Sequence, residues 1–189
     1  MNDQSSQSPA QLAQEAAQAL AALTGVARHD IALTLGSGWG GAAQEIGELI
    51  AEIPAEQVPG FSSAAVVGHT GTLSSIRLAD GRLALIIGAR THVFEGRGVR
   101  GVVHGVRTAA AAGAKIMVLT NGAGGLDPAV GPGEAILIND HINLTAVSPI
   151  EGAEFVDLTD LYAERLRRLA RDIAPELTEG VYVQLPGPH

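Results

Sequence analysis

Apolar residues recur along this chain in two rhythms, and the rhythms alternate. Leu12, Ala16, Leu20 and Leu23 fall at helical spacing behind Ser8-Pro9, a serine cap with proline at the first helical position; Gly25 suits the stop. The run Ile31 to Leu35 then reads as a buried strand. Thr72 to Leu78 and Leu83 to Gly88 read as two strands joined around "ADGR", where Asp80-Gly81 signals a hairpin. Val99 to Ala112 is expected to be helical despite Gly101 and Gly105. Lys115 to Thr120, "KIMVLT", is a second buried strand, and Glu134 to Ile138 a short one. Thr159 is placed to cap a helix running through Ile173, with Leu161, Leu166, Leu169 and Ile173 on its apolar side. Val181 to Leu185 is a last strand before "PGPH".

Strands alternating with helices predict an α/β fold, and the hairpin makes its sheet mixed, flanked by helices. No repeat, low-complexity tract or linker divides residues 1–189, so a single domain is expected. Composition adds exclusions. Apolar residues make up 46% and charged residues 17%, against disorder. The net charge is −8, with Lys115 the sole lysine among 12 basic residues, so no electrostatic footprint for nucleic acid appears. Without cysteine there are no disulfides or thiolate metal sites. No apolar run approaches a membrane span, and "MNDQSSQSPAQ" lacks the pattern of a secretion signal. A soluble cytoplasmic protein is expected.

Four stretches put chemistry just after apolar strands, where sites gather in open α/β sheets. In "GSGWGG" the Ser37 hydroxyl and glycine amides can donate to phosphate oxygens; an ordinary tight turn would show the same letters. Gly36, Gly38 and Gly41 fit the letters of a dinucleotide fingerprint. The required ribose-binding acid fails on context, because Glu52 and Glu56 lie in what reads as a proline-rich loop, "AEIPAEQVPG". The Walker pattern is absent. In "ARTHVFEG", Arg90 and His92 are two apart and reach one side of an extended segment, an arginine fork beside an imidazole donor. Phe94 follows on that side in a chain with 3% aromatics, and Glu95 is placed to orient the histidine; a surface ion cluster is the alternative. "TNGAGGL" leaves room and free amides at a strand end. His69 sits between glycines in "VVGHTG", where a solvated loop histidine is the commoner outcome. Asp140-His141 in "NDHINL" reads as structural hydrogen bonding more readily than as a catalytic pair, and the six histidines show no zinc-ligand spacing, so no metal site is expected.

Taken together and in order, "LGSGWG", "VPGF", "GHTGTL", "RTHVFEG", "TNGAGGL", "NDHINLTAVSP", "FVDLTDLY" and "GVYVQLPGPH" resemble the trimeric purine nucleoside phosphorylase family from about Leu33 onward. The resemblance implies cleavage of purine nucleosides of the inosine or guanosine type by inorganic phosphate, giving free base and ribose 1-phosphate, with no cofactor. It implies that Ser37, His69, Arg90, His92 and the Gly122 amide bind phosphate, with His92 and Glu95 as the catalytic pair, Glu95 holding His92. Phe94 would lie near the ribose, Ala123 and Gly124 would line the base pocket, and Phe155 would reach the neighbouring subunit's ribose site in a homotrimer. Phe94 replaces the family's usual tyrosine and Gly122 its usual alanine. The family's base-recognising glutamate falls beyond His189. The chain thus reads as the N-terminal portion of the family fold, with a C-terminal segment of the same protein as a partner; alone it is expected neither to fold stably nor to turn over nucleoside. Two alternatives are a methylthioadenosine phosphorylase, whose pattern "FEGRGVRGVVH" does not match, and a noncatalytic nucleotide-binding fragment.

Overall fold

The computed structural model describes residues 7–36, 38–62 and 71–187. Ser37, His69 and the chain end therefore lie outside the described residues. Contacts divide the chain into two compact units, Met1–Gly122 and Ala123–His189.

The first unit opens with α1 (Pro9–Thr24). Ser8 accepts from the Gln11 amide while the Gln11 side chain accepts from the Ser8 amide; Gly25, at φ 71°, closes the helix with its N–H on Ala21. Strands β1 (Ile31–Thr34), β2 (Glu48–Pro54), β3 (Thr72–Arg77), β4 (Leu83–Ile87) and β5 (Ile116–Leu119) form one sheet in the order β2-β3-β4-β1-β5. β1 runs parallel to β4 and β5, whereas β2, β3 and β4 are antiparallel neighbours, so the sheet is mixed as the hairpin requires. At the hairpin tip Gly81 adopts φ 85°, and Asp80 accepts from the Arg82 amide and guanidinium.

Both faces of this sheet are covered, and β4 shows it residue by residue. Leu85 and Ile87 face a cluster with Ala16, Ala17 and Leu20 of α1 and with Ala109 and Ala112. Ala84 and Ile86 face the opposite cluster with Leu35 and Ile76, flanked by Ile46 of the short helix α2 (Ala43–Ile46). His29 is fully buried, and its Nε2 lies 2.8 Å from Ser75 Oγ, tying the start of β1 to β3.

Two expectations change here. "AEIPAEQVPG" is no loop: its first half completes β2. The sequence hides this strand because a bulge between Leu49 and Ala51 breaks its alternation, and because its acids are spent across the ladder. Glu48 pairs with Arg77 at 2.9 Å, and Glu52 accepts from Ser74 Oγ at 2.9 Å. Glu52 thus sits on an antiparallel edge strand separated from β1 by β3 and β4, so the dinucleotide reading still fails, on different grounds. The long helix is broken at Val103 into α3 (Gly98–Val102) and α4 (His104–Ala111). Gly105 does not break α4, and a Cβ there would meet Ile87 at an ordinary contact distance of 3.5 Å.

The second unit pairs β6 (Ile136–Asn143) with β7 (Thr178–Gln184) in parallel, and both are longer than their sequence runs suggest. Helix α5 (Glu164–Ile173) starts five residues after Thr159. Thr159 does not cap it, because its hydroxyl and amide both donate to Asp157; the Asp160 carboxylate takes the Glu164 amide instead. Glu179 on β7 collects Arg167, Arg171 and the Asn139 amide. No described residue of this unit is fully buried. Among the described residues no helix is long and apolar enough to cross a membrane.

Candidate functional site

Parallel register decides where the chemistry collects. Thr34 pairs with Ile87 on one side and Leu119 on the other, so β1, β4 and β5 end level with one another. The segments that follow them, Leu35–Gly36, Gly88–Glu95 and Thr120–Gly122, are released at one sheet edge. This is the carboxyl edge at which α/β folds place ligands.

At that edge Arg90 Nη1 donates to the Thr120 carbonyl at 3.1 Å, and Nη2 lies 2.9 Å from His92 Nε2. A guanidinium can only donate, so His92 Nε2 is the acceptor of this contact. The proton then resides on Nδ1, which donates to Glu95 Oε1 at 2.9 Å. The same carboxylate oxygen accepts the His92 amide at 2.7 Å. Burial raises the Glu95 carboxyl, but the two hydrogen bonds from His92 and the charge of Arg97 outweigh it, and its pKa ends below the ordinary range. Glu95 is therefore a fixed anion that sets both the tilt and the tautomer of His92. Local chain geometry makes this reach possible: Val93–Glu95 is one turn of 3-10 helix closed by Gly96 at φ 74°, bringing residue 95 back beneath residue 92. Phe94 stacks its ring on His92 with centroids 4.8 Å apart and remains half exposed.

The glycine loop enters this cluster through a residue not singled out from the sequence. Gly36 is buried, and its amide donates to Thr120 Oγ1 at 2.8 Å. A Cβ at Gly36 would stand 2.4 Å from the Thr120 carbonyl oxygen and 2.9 Å from Arg90 Nη1. The close approach that the glycine run suggested is thus located at its first glycine. Thr120 was hidden as the first letter of "TNGAGGL"; the signal that finds it is its position at the level end of β5, facing β1.

The structure brings Arg90, His92, Phe94 and Glu95 together. Gly122 lies two residues beyond Thr120, exposed, with open space around its Cα. Ala123, Gly124 and Phe155 belong to the second unit, and all three are exposed. Asp140 and His141 do not pair. Neighbours on a strand face opposite ways; Asp140 accepts from the His141 amide, and the His141 ring meets Tyr162 OH at 3.1 Å.

An arginine fork beside a carboxylate-held imidazole, at the carboxyl edge of parallel strands, suits an α/β protein that takes an oxyanion. Comparison with known proteins agrees. Residues 30–189 match the Phosphorylase superfamily. Purine nucleoside phosphorylase of Cellulomonas sp is 58% identical over 185 residues, covering 96% of this chain and 66% of the relative. Its counterpart from Mycobacterium tuberculosis is 51% identical, covering 96% of this chain and 67% of the relative. Schistosoma mansoni purine nucleoside phosphorylase, solved in complex with inosine, superposes with a TM-score of 0.82 at 30% identity, over 94% of this chain and 67% of that one. The chain belongs to the phosphorylase superfamily and, within it, to the purine nucleoside phosphorylase family, and it spans about two thirds of the length of these relatives.

Proposed function

We propose that this chain carries the phosphate half of a purine nucleoside phosphorylase site. The reaction is cleavage of an inosine- or guanosine-type nucleoside by inorganic phosphate, giving the purine base and ribose 1-phosphate. The observation that carries the proposal is the Arg90–His92–Glu95 relay beside the Gly36 and Thr120 backbone.

The bond to the purine nitrogen breaks as a phosphate oxygen bonds to the sugar's anomeric carbon. The bonding pair leaves on the base, which then takes a proton. Positive charge develops on the sugar ring in the transition state. A phosphate anion held beneath that carbon stabilises the charge and is already in line to attack, so positioning and electrostatics supply the catalysis. Arg90 gives the anion its fork. When phosphate displaces the Arg90 contact, the His92 Nε2 lone pair faces the anion and can take a proton from its acidic form. The ionised Glu95 stabilises the imidazolium so formed, which makes His92 and Glu95 the catalytic pair. Ser37, His69 and the Gly122 amide complete the phosphate contacts by family resemblance. Phe94 packs toward the ribose, and Ala123 and Gly124 keep the base-lining role their motif implies. The reaction draws on no cofactor and no metal. The fully exposed Phe155 supports a homotrimer in which that ring completes a neighbour's ribose site, and the setting is cytoplasmic purine salvage.

Titration with phosphate and with NAD tests this directly. The expected result is saturable phosphate binding, no NAD binding, and loss of phosphate binding in Arg90→Ala by about 10²-fold or more, the scale of losing a preorganised oxyanion donor. NAD binding, or phosphate binding indifferent to Arg90, overturns it. With the C-terminal segment supplied, phosphate-dependent base release from inosine but not from methylthioadenosine fixes the substrate class.

A further inference from the structure

In a parallel ladder each strand alternately donates to and accepts from its neighbour at even spacing. In the β1–β5 ladder the rung just past the paired residues follows this rule: the Thr120 amide donates to the Thr34 carbonyl at 3.0 Å. The next rung would run from the Gly36 amide to the Thr120 carbonyl. It is not made. The Gly36 amide goes to the Thr120 hydroxyl at 2.8 Å, and the Thr120 carbonyl accepts Arg90 Nη1 at 3.1 Å. The hydroxyl's own proton goes to the Thr34 carbonyl at 3.1 Å, an acceptor the Thr120 amide already satisfies. Its donor role is therefore redundant, and its acceptor role is not.

We propose that Thr120 is a positioning residue of the phosphate site: its hydroxyl stands in for its own carbonyl in the ladder, and the carbonyl so released fixes the Arg90 guanidinium. One residue thereby sets the spacing between the glycine loop and the arginine fork. The backbone on either side of Thr120 sets the size of the substitution that fits: Gly36 has no Cβ because the released carbonyl occupies its place. The proposal rests on the phosphorylase reading, since it assigns the purpose of the spacing to phosphate.

The test compares phosphate affinity, by calorimetry, in the unmodified chain, Thr120→Val and Thr120→Ser. Valine keeps the shape and removes the acceptor; serine restores it. The expected result is a loss of at least tenfold in affinity for Thr120→Val and recovery to within about threefold for Thr120→Ser, following the ordinary worth of one hydrogen bond to a buried amide. Amide hydrogen exchange provides a second measurement that needs no ligand: the Gly36 amide loses protection in Thr120→Val and keeps it in Thr120→Ser. Equal phosphate affinity in the valine variant, or an unchanged Gly36 exchange rate, overturns the role of Thr120 and leaves the phosphorylase reading standing. Absence of phosphate binding in the unmodified chain overturns both.

Discussion

Strands β4 and β7 carry similar sequences to different ends. "LALII" and "TEGVYVQ" both supply branched or bulky apolar residues to a paired strand. Every residue of β4 from Ala84 to Ile87 is buried, whereas Val181 and Val183 of β7 are 55% and 37% exposed. The difference lies in neighbours. β4 is hydrogen-bonded on both edges and has α1 and α4 on one face and α2 on the other. Among the described residues β7 pairs with β6 alone, and its Glu179 takes ion pairs from Arg167 and Arg171 of α5. An apolar alternation is thus sufficient to specify a strand, but burial is conferred by the layers that close over it. The chemistry follows the buried unit: Arg90, His92 and Glu95 are held by a sheet whose core is closed on both sides.

The sharpest way to break this comparison is one truncation in each strand. Leu85→Ala removes a side chain with no exposed surface and is expected to destabilise the first unit by about 2–5 kcal/mol. Val181→Ala is expected to stay within about 0.5 kcal/mol, as for other exposed positions. Urea unfolding of the two variants reads both values. A large cost for Val181→Ala would mean that this face is covered in solution and that the contrast is one of partners, not of units.

Acid sharpens the same contrast, because the buried titrating groups sit in the first unit. Burial pushes the pKa values of His29 and His104 below the ordinary histidine value. The unfolded chain therefore binds protons that the folded unit refuses. Stability from these two residues is complete above about pH 6.5 and declines as pH falls below that, through the depressed folded values. Glu95 behaves differently. Its depressed carboxyl keeps its contribution above the ordinary carboxylate range and loses it only further into acid. Urea midpoints at several pH values between 7.5 and 3 are expected to fall, and His29→Gln is expected to flatten the fall above pH 5 while leaving the Glu95 step below it. A flat profile in the unmodified chain would mean that both histidines can be protonated in place.

Most of this architecture is legible in the sequence because its rules are local. Ser8, Pro9 and Gly25 delimit α1, Asp80-Gly81 turns the hairpin, and the runs at Ile31, Leu83 and Lys115 mark the three parallel strands. The grouping of Arg90, His92 and Glu95 is legible too, since residues two and five apart on one short segment need no tertiary knowledge to meet. What escapes is set by partners distant in sequence. β2 is disguised by acids that make sense only once Arg77 and Ser74 are seen across the ladder. Thr120 gains its place from Thr34 and Gly36, some 85 positions away. The helix after Thr159 starts late because Asp157 captures that threonine first, a competition between two local motifs that spacing alone does not resolve.

The smallest effect concerns the two helix starts, one in each unit. Ser8 is the cap of α1 and shares a reciprocal pair of bonds with Gln11, at 3.2 and 3.0 Å. Asp160 serves α5 from four residues ahead with a single bond of 3.0 Å. Both bonds are exposed, so by hydrogen bonding alone the two losses would be similar. The helices differ in what their first turns support: α1 buries Ala13, Ala16 and Leu20, while α5 buries nothing. Fraying at Ser8 therefore loosens core contacts, and fraying at Asp160 releases only solvated turns. Ser8→Ala is expected to cost about 1 kcal/mol and Asp160→Ala about half of that or less, near the lower limit for a solvent-facing hydrogen bond. Circular dichroism melts of the two single variants decide it. Equal costs would show that the cap bonds act locally in both units, and that the closed core of the first does not amplify what happens at its surface.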